Sequence, residues 1–119
     1  MISITKLFEF EAAHFLPHHE GLCKHMHGHS YKLEVEVTCP TLTNGMICDF
    51  AELKERVKGI VESYDHKVLN DYFPNPTAEL MLETIANDLN VIFDYHTNLN
   101  LVRVRLWETS KSYAEWKRD

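Results

Sequence analysis

The sequence lacks the features of several classes of protein. No apolar run is long enough to span a bilayer, and Lys6 is followed too soon by Glu9 and Glu11 for a secretory signal peptide. Three cysteines, an odd number, do not suit a disulfide framework, so we expect reduced thiols. Repeats, low-complexity stretches and linkers are also absent. We therefore expect one domain over residues 1–119, located in the cytoplasm and without a membrane partner.

Basic residues are too few for a nucleic-acid-binding surface. The chain has 12 Lys and Arg against 18 Asp and Glu, a net charge of -6 with neutral histidines. Binding to a phosphate backbone requires a basic face, so nucleic acid is not an expected partner. A small anionic substrate is compatible with this charge, because a metal ion, Lys24 and several histidines would form one positive pocket.

Histidine is concentrated in one segment, since six of the eight lie between residues 14 and 29. His27 and His29 share one face of a predicted strand, and His14 ends the preceding strand, from which it can reach the same point. Three neutral imidazoles around an open fourth position are typical of a catalytic zinc site, whereas structural zinc usually has four protein ligands. The alternative is a chance group of surface or hydrogen-bonded histidines. This alternative fits the three histidines of the predicted loop better than it fits His14, His27 and His29. The loop histidines are His18, His19 and His25.

Four segments are predicted to be β-strands. Residues 2–14 and 29–38 alternate between apolar and polar side chains, as half-buried strands do. A polar loop containing glycine joins them, which is consistent with an antiparallel pair. A third alternating run follows Asn100, with Val102 on its apolar face, and a short fourth strand is expected over about residues 112–117.

Two helices are predicted between the strand pairs. Apolar residues recur at helical spacing from about residue 50 to 63, after a capping box with Asp49 as N-cap. Either Asn75 or Thr77 caps the second helix, and Glu79 in its first turn suits the helix dipole. The element order ββααββ predicts an α+β fold, in which a four-stranded antiparallel sheet carries both helices on one face.

Strand parity places three polar side chains on the apolar face of this sheet. His14, His29 and Glu108 each alternate in phase with the apolar residues of their own strands. We therefore expect the metal site and Glu108 to lie together on the helix side, near one end of the sheet. The two open edges of a four-stranded sheet also favour edge pairing between subunits.

Cys23 is the cysteine best placed for chemistry. It lies in the cation-rich loop before His27, where Lys24 and a metal ion would favour the thiolate, which is the reactive form. The alternatives are a fourth metal ligand and an inert thiol. Cys39 and Cys48 flank a second loop and are expected to be small buried apolar residues.

Two further groups are candidates for chemistry. Asp65 precedes His66, and a carboxylate beside an imidazole can orient it for proton transfer, although an exposed loop histidine is the default interpretation. Glu108 is a carboxylate on an apolar strand face and needs a partner there. It matches a flat guanidine-like edge with two N–H donors, or alternatively an internal Lys or Arg.

Taken together, the motifs resemble those of the 6-pyruvoyltetrahydropterin synthase / 6-carboxytetrahydropterin synthase family. They follow the family's order over essentially the whole chain. The matching segments are Phe10-Glu-Ala-Ala-His14, Cys23-x-x-x-His27-Gly28-His29, Asp49-Phe-x-x-Leu-Lys54, Asp65-His66-x-x-Leu-Asn70, Asn75-Pro-Thr-x-Glu79 and Trp107-Glu108-Thr109.

This resemblance implies the tunnelling fold, in which ββααββ subunits form trimers and two trimers stack into a homohexamer with active sites between subunits. It also implies a set of residue roles. These are zinc on His14, His27 and His29, a catalytic base at Cys23, a proton-relay pair at Asp65 and His66, and a pterin anchor at Glu108.

The resemblance further implies a lyase reaction. The substrate is 7,8-dihydroneopterin triphosphate, and the products are 6-carboxy-5,6,7,8-tetrahydropterin, acetaldehyde and triphosphate, on the route to queuosine and other 7-deazaguanines. The gap between Cys23 and His27 is of the bacterial 6-carboxytetrahydropterin synthase type, whereas relatives making 6-hydroxymethyl-dihydropterin usually have Glu in place of Cys23. The chain departs from many relatives at Phe15, where they have Arg, so no triphosphate contact is carried over there.

Three other functions are alternatives at this point. The first is 6-pyruvoyltetrahydropterin synthesis, which releases triphosphate without cleaving a carbon–carbon bond. The second is a zinc hydrolase that uses metal-bound hydroxide, although the chain has no His-Glu-x-x-His motif to supply the usual base. The third is a pterin- or metal-binding module without catalysis, which the presence of Cys23, Asp65 and His66 disfavours.

Overall fold

The computed structural model describes residues 1–95 and 97–119. Short 3-10 helices at Leu22–Lys24 and Leu69–Asp71 accompany the main elements. Those main elements are β1 (Ile4–His14), β2 (His27–Thr38), α1 (Phe50–Tyr64), β3 (Lys67–Val68), α2 (Ala78–Asp94), β4 (Asn100–Thr109) and β5 (Ser112–Lys117).

The strands form one sheet in the order β3-β1-β2-β4-β5. β1 and β2 pair antiparallel without interruption, from Ile4 opposite Val37 to His14 opposite His27. The predicted four-stranded antiparallel sheet is therefore wrong in one detail. β3 adds a fifth strand that is parallel to β1. A two-residue strand is too short to show alternation in a sequence.

One face of the sheet is buried beneath the two helices. The even-numbered residues of β1 and the odd-numbered residues of β2 point inward, as the alternation predicts. They pack against the apolar sides of both helices. The core residues at this layer include Phe10, Tyr31, Leu33, Val35, Leu53, Val57, Met81, Ile85 and Leu89. Among the described residues, neither helix has the length and apolarity needed to cross a membrane.

A β-bulge changes the inward set of β4. The register between β2 and β4 shifts at Glu36 and Val37, so that Val37 faces Leu101 and Glu36 faces Arg103. Leu101 is buried in the core, whereas Val102 is only half-buried. The predicted placement of Val102 on the core face is therefore wrong, because one extra residue in a bulge reverses the parity of the chain before it.

Side-chain caps fix where the helices begin. The Asp49 carboxylate accepts a hydrogen bond from the Ala51 amide at 3.0 Å, and Thr77, rather than Asn75, caps α2 by accepting from the Leu80 amide at 3.2 Å. Glu52 pairs with an arginine one turn later instead of completing a capping box. Because α2 begins directly after Thr77, the preceding Pro-containing turn lies against the end of β1.

Gly59 offers a test of the α1 assignment. It lies on the exposed face in the middle of the helix, and a Cβ added there would meet no atom within 4 Å. Gly59→Ala should raise the free energy of unfolding by about 0.5–1 kcal/mol, because alanine loses less backbone entropy in a helix. Urea denaturation measures this. Gly45→Ala is the control and should destabilise, since the φ angle of Gly45 is 76°; equal effects of the two substitutions would contradict the assignment.

Candidate active site

Three imidazoles meet where β1 ends and β2 begins. His14 and His27 are partners across the two strands, and His29 lies two residues further along β2 on the same face. One ligand atom of each ring lies within 4.8 Å of the others, and the Nε2 atoms of His14 and His27 are 3.1 Å apart. The strand register thus brings together the three-histidine cluster (His14, His27 and His29) that the sequence predicts.

Backbone carbonyl groups assign the tautomers of two of these rings. The Nδ1 atom of His14 lies 3.0 Å from the Pro76 carbonyl oxygen, and that of His27 lies 2.7 Å from the His25 carbonyl oxygen. A carbonyl oxygen only accepts hydrogen bonds, so both Nδ1 atoms carry hydrogen and donate it. The Nε2 atom of each neutral ring then carries a lone pair, and the two lone pairs point toward each other.

This arrangement fits a metal ion. Two facing lone pairs at 3.1 Å repel each other unless a cation lies between them. The Nε2 atom of His29 is buried without a hydrogen-bond partner, as expected of a ligand atom. Three imidazole nitrogens suit Zn and related transition metals rather than Mg or Ca. Among the described residues, the group of converging ligand atoms consists of the three histidines alone.

Burial favours the neutral form of two of these rings. It lowers the pKa of His14 and of His29, while the nearby Glu108 carboxylate acts in the opposite direction more weakly. Neutral imidazole is the form that binds metal. The protein environment therefore prepares two of the three ligands for a metal ion at neutral pH.

These two pKa shifts predict a pH dependence for the metal-free protein. The folded-state pKa values of His14 and His29 lie below 6.5, so the unfolded chain binds more protons near and below that pH. The free energy of unfolding should therefore fall as the pH is lowered through 6.5, and should level off below the folded-state pKa values. Urea titrations with a chelator at pH 7.5, 6.5 and 5.5 measure this; a stability that stays flat or rises on acidification would contradict it.

Glu108 lies beside the cluster at a second β-bulge. The register between β4 and β5 shifts between Trp107 and Thr109, which leaves Glu108 as the extra residue. Glu108 keeps the inward parity of Val104 and Leu106, and its carboxylate lies 3.4 Å from His29 Nε2. Among the described residues, Glu108 contacts His29, which forms an ion pair only when that ring is protonated, and no Lys or Arg pairs with Glu108. The same carboxylate lines a cleft of about 320 Å³ near the start of α2.

Cys23 lies in the loop between β1 and β2, within the 3-10 turn Leu22–Lys24. Its thiol is free and half-buried, and its carbonyl oxygen accepts a hydrogen bond from the Leu16 amide at 2.8 Å. The sulfur is not among the converging ligand atoms. This position does not support the alternative of a fourth metal ligand.

Asp65 and His66 occupy a different place, at the β3 edge of the sheet. The Asp65 carboxylate contacts His66 Nδ1 at 3.0 Å and accepts from the Glu11 amide at 2.9 Å, and the latter hydrogen bond lowers the pKa of Asp65. His66 has a φ angle of 60°, which is uncommon for a residue with a side chain. It is largely exposed and lines a cleft of about 400 Å³ with Gly28 and Ser30.

The structure therefore assembles part of the predicted site within one chain. It joins the three histidines with Glu108, but no hydrogen bond or ion pair between described residues links His66 to them or to Cys23. Sequence reasoning missed Tyr31, whose hydroxyl lies 3.2 Å from His14 Nδ1, and the Pro76 carbonyl. Tyr31 could have been found from the sequence, because it is two residues from His29 and therefore on the same strand face. The Pro76 carbonyl could not, because every residue has a backbone carbonyl.

Comparison with known proteins agrees with these observations. The family model for 6-pyruvoyl tetrahydropterin synthase matches residues 3–119. The chain belongs to this family. It is 31% identical over 142 residues to the 6-carboxy-5,6,7,8-tetrahydropterin synthase of Haemophilus influenzae, with 98% of this chain and 99% of the relative covered. A Bacillus subtilis protein of the same name is 31% identical over 125 residues, which cover 96% and 84% of the two chains.

A solved structure of the Caenorhabditis elegans 6-pyruvoyl tetrahydropterin synthase superposes with a TM-score of 0.81 at 25% identity. The alignment covers 99% of this chain and 96% of that one. The fold is therefore the α+β tunnelling fold that the sequence motifs imply, here with the additional short strand β3.

Proposed function

We propose that this protein is a zinc-dependent 6-carboxytetrahydropterin synthase. It would convert 7,8-dihydroneopterin triphosphate and one water molecule to 6-carboxy-5,6,7,8-tetrahydropterin, acetaldehyde and triphosphate, in the cytoplasmic route to queuosine and other 7-deazaguanines. The observation that carries the proposal is the three-histidine cluster beside Glu108. The names of relatives such as the Haemophilus influenzae protein support the choice of product.

The metal site is assigned to His14, His27 and His29. A zinc ion bound there supplies Lewis acidity toward oxygen atoms of the substrate side chain. The Pro76 and His25 carbonyl groups hold two of the rings in the ligating tautomer. Such outer partners orient the rings of metal ligands and raise their basicity.

Glu108 is proposed to hold the pterin ring. A pterin presents adjacent N–H groups on one edge, and a carboxylate accepts two such hydrogen bonds in parallel. The cleft next to Glu108 is bounded by Ala78 and Tyr113, which offer apolar surface to a flat ring. A ring fixed in this way would present one side-chain carbon to the base, and such orientation accounts for a large part of catalysis.

Cys23 is proposed as the base and His66 as the group that moves protons while the side chain breaks. The thiolate would take a carbon-bound proton, and Asp65 would hold the His66 ring through its Nδ1 atom at 3.0 Å. Asp65 is itself fixed by the Glu11 amide. This second hydrogen bond keeps the carboxylate ionised and therefore able to stabilise a protonated His66.

Among the described residues, His66 has no hydrogen bond or ion pair to the metal cluster, which is compatible with an active site shared between subunits. Among the described residues, β1 pairs on its β3 side only at Ala12 and Ala13, which leaves the edge from Ile4 to Phe10 open to another strand. Edge pairing would close the sheet and bring Asp65 and His66 toward the metal centre of a neighbouring copy. We accordingly propose a homohexamer built from two trimers.

The product distinguishes this function from its nearest alternative. The same residues would serve a 6-pyruvoyltetrahydropterin synthase, which the similarity to the Caenorhabditis elegans enzyme favours. Zinc-loaded protein incubated with 7,8-dihydroneopterin triphosphate should release acetaldehyde and yield the 6-carboxy product, identified by its mass. A product that retains all side-chain carbons would establish the alternative, and tight binding without turnover would reject both.

A further inference from the structure

The Asn70 side chain makes an unusual pair of hydrogen bonds. Its Oδ1 atom accepts from the Phe15 amide at 2.9 Å, and its Nδ2 atom donates to the Phe15 carbonyl oxygen at 2.9 Å. One amide group thus satisfies both backbone groups of a single residue, as a neighbouring strand would do. Both bonds are partly buried, so water replaces them poorly.

Phe15 lies at a point on which two functional groups depend. It follows His14 directly, so the direction of its backbone affects how His14 enters the three-histidine cluster. The next residue, Leu16, donates its amide hydrogen to the Cys23 carbonyl oxygen at 2.8 Å, which ties the far side of the loop to its beginning. The conformation at Phe15 therefore influences both the metal ligand and the thiol.

Asn70 also joins this loop to the segment that carries Asp65 and His66. It follows β3, whose two residues pair with Ala12 and Ala13 at the end of β1. The 3-10 turn Leu69–Asp71 is anchored by Leu69, which is fully buried in the core. Asn70 therefore lies in a turn that is fixed to the core, and its side-chain amide connects that turn to the backbone of Phe15, just after β1.

We propose that Asn70 is a positioning residue for the metal ligand His14 and for the loop that bears Cys23. Its amide holds Phe15 in one backbone conformation and thereby orders residues 15–26. The assignment to catalysis rests on the proposed function, whereas the effects on metal affinity and loop order do not. Partners of this kind around a metal site typically affect metal affinity by about tenfold to a hundredfold.

Two substitutions separate the two hydrogen bonds. Asn70→Leu keeps the size of the side chain and removes both bonds, whereas Asn70→Asp keeps the acceptor for the Phe15 amide and removes the donor to its carbonyl. Val57→Ala is the matched control, because it weakens the buried side of α1, an element outside residues 15–26. All three are compared by zinc affinity in a chelator competition, by hydrogen exchange of residues 15–26 and by the rate of Cys23 alkylation.

Asn70→Leu should weaken zinc binding by about tenfold to a hundredfold, and should speed both loop exchange and Cys23 alkylation at least about tenfold. Asn70→Asp should keep the Phe15 amide slow to exchange and show a smaller loss of zinc affinity. Val57→Ala should leave all three quantities near wild-type values. Zinc affinity and loop exchange that are unchanged in Asn70→Leu, or equally changed in Val57→Ala, would overturn the proposal.

The measurements of zinc affinity and loop exchange do not need the substrate, so they test the positioning role separately from the proposed function. If wild-type protein fails to turn over the pterin but Asn70→Leu still loses zinc affinity and loop order, the proposed function fails and the positioning role stands. If the wild-type protein turns over the pterin but Asn70→Leu changes neither zinc affinity nor loop exchange, the proposed function stands and the positioning role fails.

Discussion

Replacing Cys23 with alanine should lower the turnover of 7,8-dihydroneopterin triphosphate by about 10³-fold and leave the zinc content at one ion per chain. A positioned base contributes about 10²–10⁴ to a rate, and the Cys23 thiol lies outside the three-histidine cluster. Steady-state kinetics and metal analysis on the same preparation measure both quantities.

The chain offers a matched control for this prediction. Cys39 is also a free, half-buried thiol, but its sulfur donates to the Thr41 carbonyl oxygen at the far end of β2. Cys39→Ala should change turnover less than about twofold. Loss of zinc from Cys23→Ala would make the thiol a ligand, and full activity with full zinc would exclude it as the base.

Glu108→Gln should lower kcat/KM by about 10²–10³-fold. The amide keeps one acceptor but presents N–H donors to a ring edge that itself donates, so a charge-assisted pair becomes a clash. Loss of one partner from a buried, charged hydrogen-bonded pair costs about 2–5 kcal/mol, which corresponds to the expected range. Kinetics with the pterin substrate, together with binding of a product analogue by calorimetry, measure the effect.

Glu115→Gln serves as the control for Glu108. Glu115 on β5 pairs with Arg105 at 2.7 Å and with Arg103 at 3.8 Å, both on β4, and its substitution removes ion pairs that do not involve the three histidines or Glu108. We expect wild-type kcat/KM for this variant and one zinc ion per chain for both. Equal values of kcat/KM in the two variants would show that Glu108 does not anchor the ring.

Long regular elements were predictable from the sequence because their periodicity is strong. The first helix, predicted over 50–63, spans Phe50–Tyr64, and the predicted fourth strand, about residues 112–117, is β5 at Ser112–Lys117. The shorter and irregular features were not predictable. β3 forms because the segment after α1 lies alongside β1. The bulge that buries Leu101 forms in the pairing of β4 with β2. Both arise from contacts between distant parts of the chain.

The site was predictable to the extent that it depends on side-chain spacing. His27 and His29 share a strand face by parity alone, and the same argument places Glu108 beside them. The groups that orient these residues were not predictable. A carbonyl such as that of Pro76 belongs to every residue, and the bonds from Asn70 to Phe15 join positions far apart in sequence. Only the folded backbone selects these partners.

The pairing of His14 with His27 has a consequence for regulation by metal supply. His14 and His27 lie at the two ends of the loop that carries Cys23, so an ion bound between them would also restrain that loop. Binding energy that holds these two ends together also stabilises the ordered loop, since the two equilibria are thermodynamically linked. If the protein has the proposed function, scarcity of zinc would therefore lower activity in two ways, by removing the Lewis acid and by loosening the segment that carries Cys23.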